Sequence, residues 1–291
     1  MAGGLRMSLP YRLGSSSLFV RSNEDSVEPK RVVFLSAEGT VTEVNYFKYI
    51  EKYRTQLGID AIVHIEILRK HDTNSDPDHV LALLEEYVDF RESKMFKEEI
   101  SSLNLQKYPT EFIKSYLDDP SGIPVKDRHK FEATLREERI DLLYLDFLSK
   151  YHGKEDAFGV VLDRDWRSHT ADQMNRVIQK CKEKNYLCYI TNPCLEFWLL
   201  LHVSDVKREY AKCLDQILDN KVDDKGNSFV SNLLHEKTGQ RKCIQLKTFE
   251  SCYLPNIDLA IERAKSFAPW DELLEKIGSN LWELFDLLRR K

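Results

Sequence analysis

Two short apolar runs in this chain end on acids. Arg31-Val32-Val33-Phe34-Leu35-Ser36 leads through Ala37 into Glu38-Gly39, and Ala157-Phe158-Gly159-Val160-Val161-Leu162 ends on Asp163-Arg164-Asp165. A Glu and two Asp brought together form a hard-oxygen site of the kind that Mg²⁺ or Mn²⁺ prefers, with water positions left for phosphate. One or two such ions activate an attacking water or hydroxyl and stabilise charge on a phosphate in transfer. Asp163 and Asp165 lie two apart, so on an extended chain both point to one side. Glu38, Asp163 and Asp165 are therefore the candidate metal ligands and catalytic residues. Glu43, five residues after Glu38, is either a further ligand or base, or an acid favouring a helix N-terminus.

Those acids need a scaffold. The run 31–36 is β-branched and nearly continuous, as in a strand buried on both faces. Gly39 supplies a turn, Thr40 or Thr42 a cap, and Val44, Phe47 and Ile50 the apolar face of a helix over Glu43 to Tyr53. A second strand is expected at Ala61 to Leu68. A helix follows from near Pro77, with Val80, Leu81, Leu83 and Leu84 inward. Residues 91–155 are rich in Lys and Glu, break at Asp119-Pro120-Ser121-Gly122, and read as a helical insertion. A third strand spans Ala157 to Leu162, a helix Ala171 to Lys184, a fourth strand Tyr186 to Thr191, and a further helix carries Leu195 to His202. Strands alternating with helices imply right-handed crossovers and a parallel α/β sheet, in which ligands bind beyond the carboxyl ends of the strands. Glu38, Asp163, Asp165 and Asn192 all fall at such ends. Residues 1–30 read as a flexible arm, 31–203 as the core with its insertion, and 204–291 as a helical region whose last segment, Trp270 to Leu288, is amphipathic.

Arg164, Asn192, Glu196 and His202 are the candidates for substrate contact. Asn192 either orients a phosphate or caps a strand end. His202 reads more simply as structural than catalytic, and Trp198 as core. Lys94, Lys97, Lys107, Tyr108, Lys114, Tyr116, Lys126, Arg128 and Lys130 form either a groove for a phosphate backbone or a solvated helix face. Asp72-x-Asn74-x-Asp76 is no calcium loop, because Pro77 stands where Gly is required and Leu83 where Glu is. A Gly-rich Lys-Ser/Thr phosphate loop and a Gly-x-Ser-x-Gly elbow are both missing, so ATP hydrolysis and serine-hydrolase chemistry have no support.

Of 291 residues, 42% are hydrophobic, enough for a real core, and the formal charge of −5 argues against coating nucleic acid by bulk charge while leaving room for a local basic surface. Six cysteines without a Cys-x-x-Cys pair read as reduced thiols. With no secretory signal and no apolar run of membrane-spanning length, the expectation is a soluble cytoplasmic protein with no membrane partner.

The blocks Phe34-Leu35-Ser36-Ala37-Glu38-Gly39-Thr40-Val41-Thr42-Glu43-Val44-Asn45-Tyr46-Phe47, Ser75-Asp76-Pro77, Val161-Leu162-Asp163-Arg164-Asp165 and Asn192-Pro193-Cys194-Leu195-Glu196-Phe197-Trp198-Leu199-Leu200-Leu201-His202 resemble the RloB-like family of abortive-infection proteins. The last block is the most distinctive, and together they span residues 30–203. The resemblance implies a Toprim-like Rossmannoid fold with Glu38, Asp163 and Asp165 as metal ligands. It also implies a Mg²⁺-dependent nuclease effector of bacterial anti-phage defence, with an ABC- or OLD-like ATPase partner encoded nearby. By analogy with related effectors, RNA, including tRNA, is preferred to DNA as substrate. Homo-oligomers are compatible with it. Two departures stand out: Ala37 replaces the cysteine usual before the Glu, and Glu38 and Asp163 are 125 residues apart, a long spacing whose excess falls in 91–155. The alternatives are a non-catalytic sensor or regulatory subunit, docking through the insertion or the C-terminal amphipathic segment, and a Toprim DNA endonuclease.

Overall fold

The computed structural model describes residues 13–14, 31–39, 41–59, 63–70, 76–92, 107–118, 120–137, 156–241 and 243–289. The chain divides into a larger compact unit, 27–67, 74–81 and 153–291, and a smaller one, 82–152 with 1–26 and 68–73.

The larger unit is an α/β layer structure. Its strands are β2 (Arg31–Ala37), β4 (Ala157–Asp163), β5 (Leu187–Asn192) and the short β6 (Gly278–Ser279), numbered after β1 (Leu13–Gly14) and β3 (Val63–Lys70). Within this unit the order is β2-β4-β5-β6. β2, β4 and β5 are parallel and β6 is antiparallel to β5. Val32 to Ala37 are all buried, as expected for a strand covered on both faces. The register aligns Ala37 with Val161 and Asp163 with Thr191, so Glu38, Asp163 and Asn192 emerge along one carboxyl edge. That is the edge at which parallel sheets bind ligands.

Helix α1 (Thr42–Lys52) follows β2 and buries Tyr46, Phe47 and Ile50. The expected threonine cap is not made. Val41 occupies the cap position without a side-chain bond, Thr42 is already helical, and its hydroxyl accepts instead from the Cys243 N–H at 3.4 Å; Thr40 lies outside the described residues. Helix α2 (Pro77–Glu92) buries Val80, Leu81, Leu83 and Leu84, as its sequence pattern requires.

In the smaller unit, β1 pairs antiparallel with Arg69 and Lys70 of β3, and is the one described part of the expected arm. Helices α3 (Thr110–Asp118) and α4 (Val125–Glu137) close on a small core of Ile113, Tyr116, Ile123, Phe131 and Leu135. Tyr108 and Tyr116 pack edge-on against Phe131, with ring centroids 4.7 and 4.9 Å away. Those two tyrosines thus pack inward, which favours the solvated helix face over the groove of the two readings, while Lys107, Lys114, Lys126 and Lys130 remain exposed. Lys94 and Lys97 lie outside the described residues.

Back in the larger unit, α5 (Ala171–Lys184) opens with a capping box, Thr170 and Gln173 bonding each other's backbone N–H. Helix α6 (Leu195–Val203) is apolar on nearly every side and, correspondingly, buried on nearly every side. It packs against β5 and against two helices of the C-terminal region, α9 (Phe229–Thr238) and α10 (Ile257–Lys265), which follow the short α7 (Val206–Glu209) and α8 (Leu214–Asp219).

The segment Trp270 to Leu288 is not one amphipathic helix. It forms a 3₁₀ turn at Trp270–Glu272, the edge strand β6, and a two-turn helix α11 (Trp282–Leu288). Leu281, Leu284, Phe285 and Leu288 are buried in the core, so its apolar face is not left free for a partner. Asn280 secures β6: its Oδ1 accepts from Ile190 N–H at 2.7 Å, and its Nδ2 donates to Cys188 O at 2.9 Å.

Candidate functional site

Glu38 is the first residue past β2, and its carboxylate is tied at both oxygens. Oε2 accepts from the Asp163 N–H at 3.1 Å, and Oε1 lies 3.0 Å from His169 Nε2. Asp163 in turn accepts the Leu195 N–H, at the start of α6, at 2.9 Å. The two acids thus stand side by side because β2 and β4 are adjacent and parallel. Asp163 also takes up one of the N–H groups that a helix start leaves unpaired, at the positive end of the helix dipole.

Glu43 folds back from the first turn of α1 over Gly39. A Cβ on Gly39 would overlap the Glu43 carboxylate as it lies, so a side chain there would push that carboxylate off the turn. Burial pushes the Glu43 carboxyl up to about 7, against the backbone N–H bonds it accepts and aided by the negative charges of Glu196 and Glu38. Loss of water likewise holds Asp163 well above the usual carboxylate range, and Glu38, Glu43 and Glu196 push the same way. Four acids, Glu38, Glu43, Asp163 and Glu196, therefore form one electrostatic cluster in which like charges oppose each other.

Asp165 is directed elsewhere. The chain leaves extended geometry after Asp163, and Asp165 closes a turn, accepting from Ser168 Oγ at 2.7 Å and from the Arg167 N–H at 3.2 Å. Glu196, placed from sequence among the substrate contacts, stands instead within reach of the acids, because α6 begins beside the sheet edge.

The other sequence candidates have structural partners. Arg164 is 2% exposed and donates to Leu274 O at 2.9 Å and to His169 O at 2.8 Å. Asn192, which precedes a cis peptide to Pro193, is fully buried; it donates to Leu273 O at 2.9 Å and accepts from Trp166 Nε1 at 3.3 Å. His202 lies in the core. Its Nδ1 faces Trp198 O at 3.0 Å, and a carbonyl can only accept, so Nδ1 carries the proton. Nε2 then accepts from the Tyr46 hydroxyl at 3.2 Å, which itself accepts from Trp198 Nε1 at 2.8 Å. Burial keeps His202 neutral, its pKa lowered to about 3. Tyr46→Phe would strand one buried donor and one buried acceptor at a cost of about 1–3 kcal/mol each. Thermal melts should show Tm falling by about 5 °C or more; an unchanged Tm would mean that water replaces the hydroxyl.

His169 was not singled out from sequence. It lies at the end of the Asp165 turn, immediately before the Thr170 cap of α5, and is 4% exposed. Burial alone would lower its pKa, but the bond to Glu38 and the charges of Glu38, Asp165 and Asp76 outweigh it and raise it. Its Nδ1 is buried without a hydrogen-bond partner. The available signal was a histidine four residues after the second acid of Asp-x-Asp, on the same loop.

Among the described residues, no three His, Cys, Asp or Glu side chains are gathered into a closed metal-binding group. The cluster nevertheless fits Mg²⁺ or Mn²⁺ by donor chemistry. It is all hard oxygen, His169 is the one basic group paired with it, at Glu38, and Mg²⁺ takes one or two carboxylates while keeping several waters.

The family model for RloB-like proteins matches residues 33–288, which includes β2, the acid cluster, α6 and the C-terminal elements. The chain belongs to the RloB-like family. No curated protein and no solved structure matches it. The RloB-like match runs beyond residue 203, where the recognisable sequence blocks end, as β6 and α9–α11 are integral to the same core. No helix among the described residues is long and apolar enough to cross a membrane.

Proposed function

We propose that this RloB-like protein is a metal-dependent nuclease with a Toprim-type catalytic edge, cutting RNA, including tRNA, in preference to DNA, as the effector of an anti-phage system restrained by a partner ATPase. One observation carries the reading: four mutually repelling acids meet at the carboxyl edge of a parallel sheet, with two of them, Glu43 and Asp163, held above the ordinary carboxylate range. Such an arrangement is unfavourable in the free protein and is relieved by a cation.

Glu38 and Asp163, with Glu43 and Glu196 behind them, would hold Mg²⁺ or Mn²⁺. When bound, the ion supplies Lewis-acid stabilisation of a phosphate. The chain's own residues set the geometry. His169 and the Asp163 N–H fix the Glu38 carboxylate, the α6 N-terminus fixes Asp163, and Gly39 admits Glu43. Arg164 braces the loop that carries His169 by bonding its carbonyl.

The test is cleavage of total cellular RNA and of plasmid DNA by the purified chain with Mg²⁺, Mn²⁺ or EDTA, alone and with the ATPase encoded beside it. Metal-dependent cutting of RNA supports the reading; failure to cut either polymer under every condition removes it.

His169 acts here as a positioning residue. His169→Ala should raise the Mg²⁺ concentration for half-maximal cleavage by about 10–100-fold, the range for loss of a group that orients a metal ligand. His169→Gln, whose amide can still donate to Glu38, should recover part of it. Superimposable Mg²⁺ titrations for the alanine variant and the parent would show that Glu38 needs no such support.

A further inference from the structure

Trp166 stands out on the loop between the Asp163 strand end and α5. It is 45% exposed, an unusual position for the largest aromatic side chain. It is also held rigidly. The Arg164 guanidinium lies over its ring, 3.9 Å from the centroid, and Arg164 is itself 2% exposed and bonded to two carbonyls. The indole N–H donates to Asn192 Oδ1 at 3.3 Å. The buried roles of Arg164 and Asn192 thereby acquire a purpose: one backs the ring and the other sets its rotation. Trp166 is separated from Asp163 by two residues and follows Asp165 directly. Beside it, Arg167 is exposed and pairs with Asp219 at 3.0 Å, which also holds Lys221 at 3.0 Å.

We infer that Trp166 is a stacking platform for an unpaired nucleobase at the carboxyl edge that carries the acid cluster, with the exposed Arg167 as its neighbour on the same loop. A fixed, half-exposed indole backed by a cation offers a π-face to any base, and stacking needs a base that is free of its partner strand. The substrate class is accordingly single-stranded nucleic acid or an unpaired loop, not a continuous duplex. This deepens the nuclease reading and rests on it for the identity of the acid site, but base stacking itself needs no cleavage.

The test measures binding only. A short fluorescent single-stranded RNA and the same sequence as a duplex are titrated by anisotropy with the full chain, Trp166→Ala and Trp166→Phe, in Ca²⁺ and in EDTA, after thermal melts establish that all three are folded. Trp166→Ala should weaken single-strand binding about tenfold or more, Trp166→Phe should lose much less, and duplex binding should be the same for all three. Equal single-strand affinity in the three proteins, no single-strand binding by the parent chain, or an equal loss for strand and duplex would each overturn the inference. A chain that never cuts yet binds single strands through Trp166 would keep this inference and lose the nuclease.

Discussion

Purified Asp163→Asn protein is expected to be folded, to melt no lower than the parent chain, and to lose metal-dependent cleavage down to background. The substitution separates two roles of one side chain. Its Oδ1 accepts the Leu195 N–H at 2.9 Å, and an amide oxygen can accept the same bond, so the start of α6 keeps its partner. What disappears is the negative charge, which is held at an energetic cost because Asp163 lacks water and faces Glu38, Glu43 and Glu196. Removing that charge relieves the cluster and takes away the ligand on which a cation would rely. Asp163→Ala would be a poorer experiment, as it would also leave the Leu195 N–H unpaired. The decisive pair of measurements is a thermal melt in EDTA and a cleavage assay over a Mg²⁺ titration. Retention of full cleavage by a stable Asp163→Asn protein would end the proposal that this edge is catalytic. A fall in Tm would show that Asp163 is held for structure, as an ionic cap on α6. Asp165→Asn should be milder, because Asp165 engages Ser168 and the Arg167 N–H of its own turn and does not join the cluster.

The sheet and the position of Glu38 beside Asp163 were legible in sequence because both depend on local patterns: apolar runs of strand length, and acids where those runs stop. The orientation of Asp165 was not legible, because period-2 geometry stops at the end of β4, where the chain turns and Asp165 accepts from Ser168 and the Arg167 N–H. Asn192 and His202 look chemical in sequence, being polar residues beside or within apolar blocks. Their partners, Leu273, Trp166 and Tyr46, come from other elements, and no local pattern reveals such pairings. His169 was missed for the converse reason. It belongs to no periodic element, and its importance comes from a loop folding back onto Glu38. The segment 270–288 failed on periodicity, since alternating apolar residues do not distinguish one helix from a turn, an edge strand and a short helix. Gly278 was the clue. A Cβ there would lie 3.1 Å from the Ala268 backbone nitrogen, a closeness that an exposed helix would not require.

The acid cluster and the buried His202 pull stability in opposite directions with pH, and the second large effect follows from separating them. His202 has a folded pKa of about 3 against an ordinary 6.5. The unfolded chain therefore binds the extra proton, and the stability of the neutral ring is complete above about 6.5 and drains away towards pH 3, by about 5 kcal/mol at most. Glu43 has the reverse sign. Its folded pKa is about 7 against 4.5, so its contribution is intact below 4.5 and is lost as pH rises through 7, by about 3 kcal/mol at most. Asp163 shifts in the same direction as Glu43. Between pH 4.5 and 6.5 the two trends oppose each other, and with Asp163 adding to the Glu43 side the Tm of the metal-free parent chain should fall as pH rises. Glu43→Gln removes one of them, while its amide oxygen can still accept backbone N–H bonds. In EDTA the variant should match the parent at pH 4.5, exceed it by about 5 °C or more at pH 8, and fall more steeply towards acid. Mg²⁺ at pH 8 should then raise the Tm of the parent more than that of the variant, because it offsets a charge that the variant lacks. A Tm difference that is the same at pH 4.5 and pH 8 would mean that Glu43 ionises in the fold without cost. The cluster would then be a solvated edge of the sheet and not a site waiting for a cation.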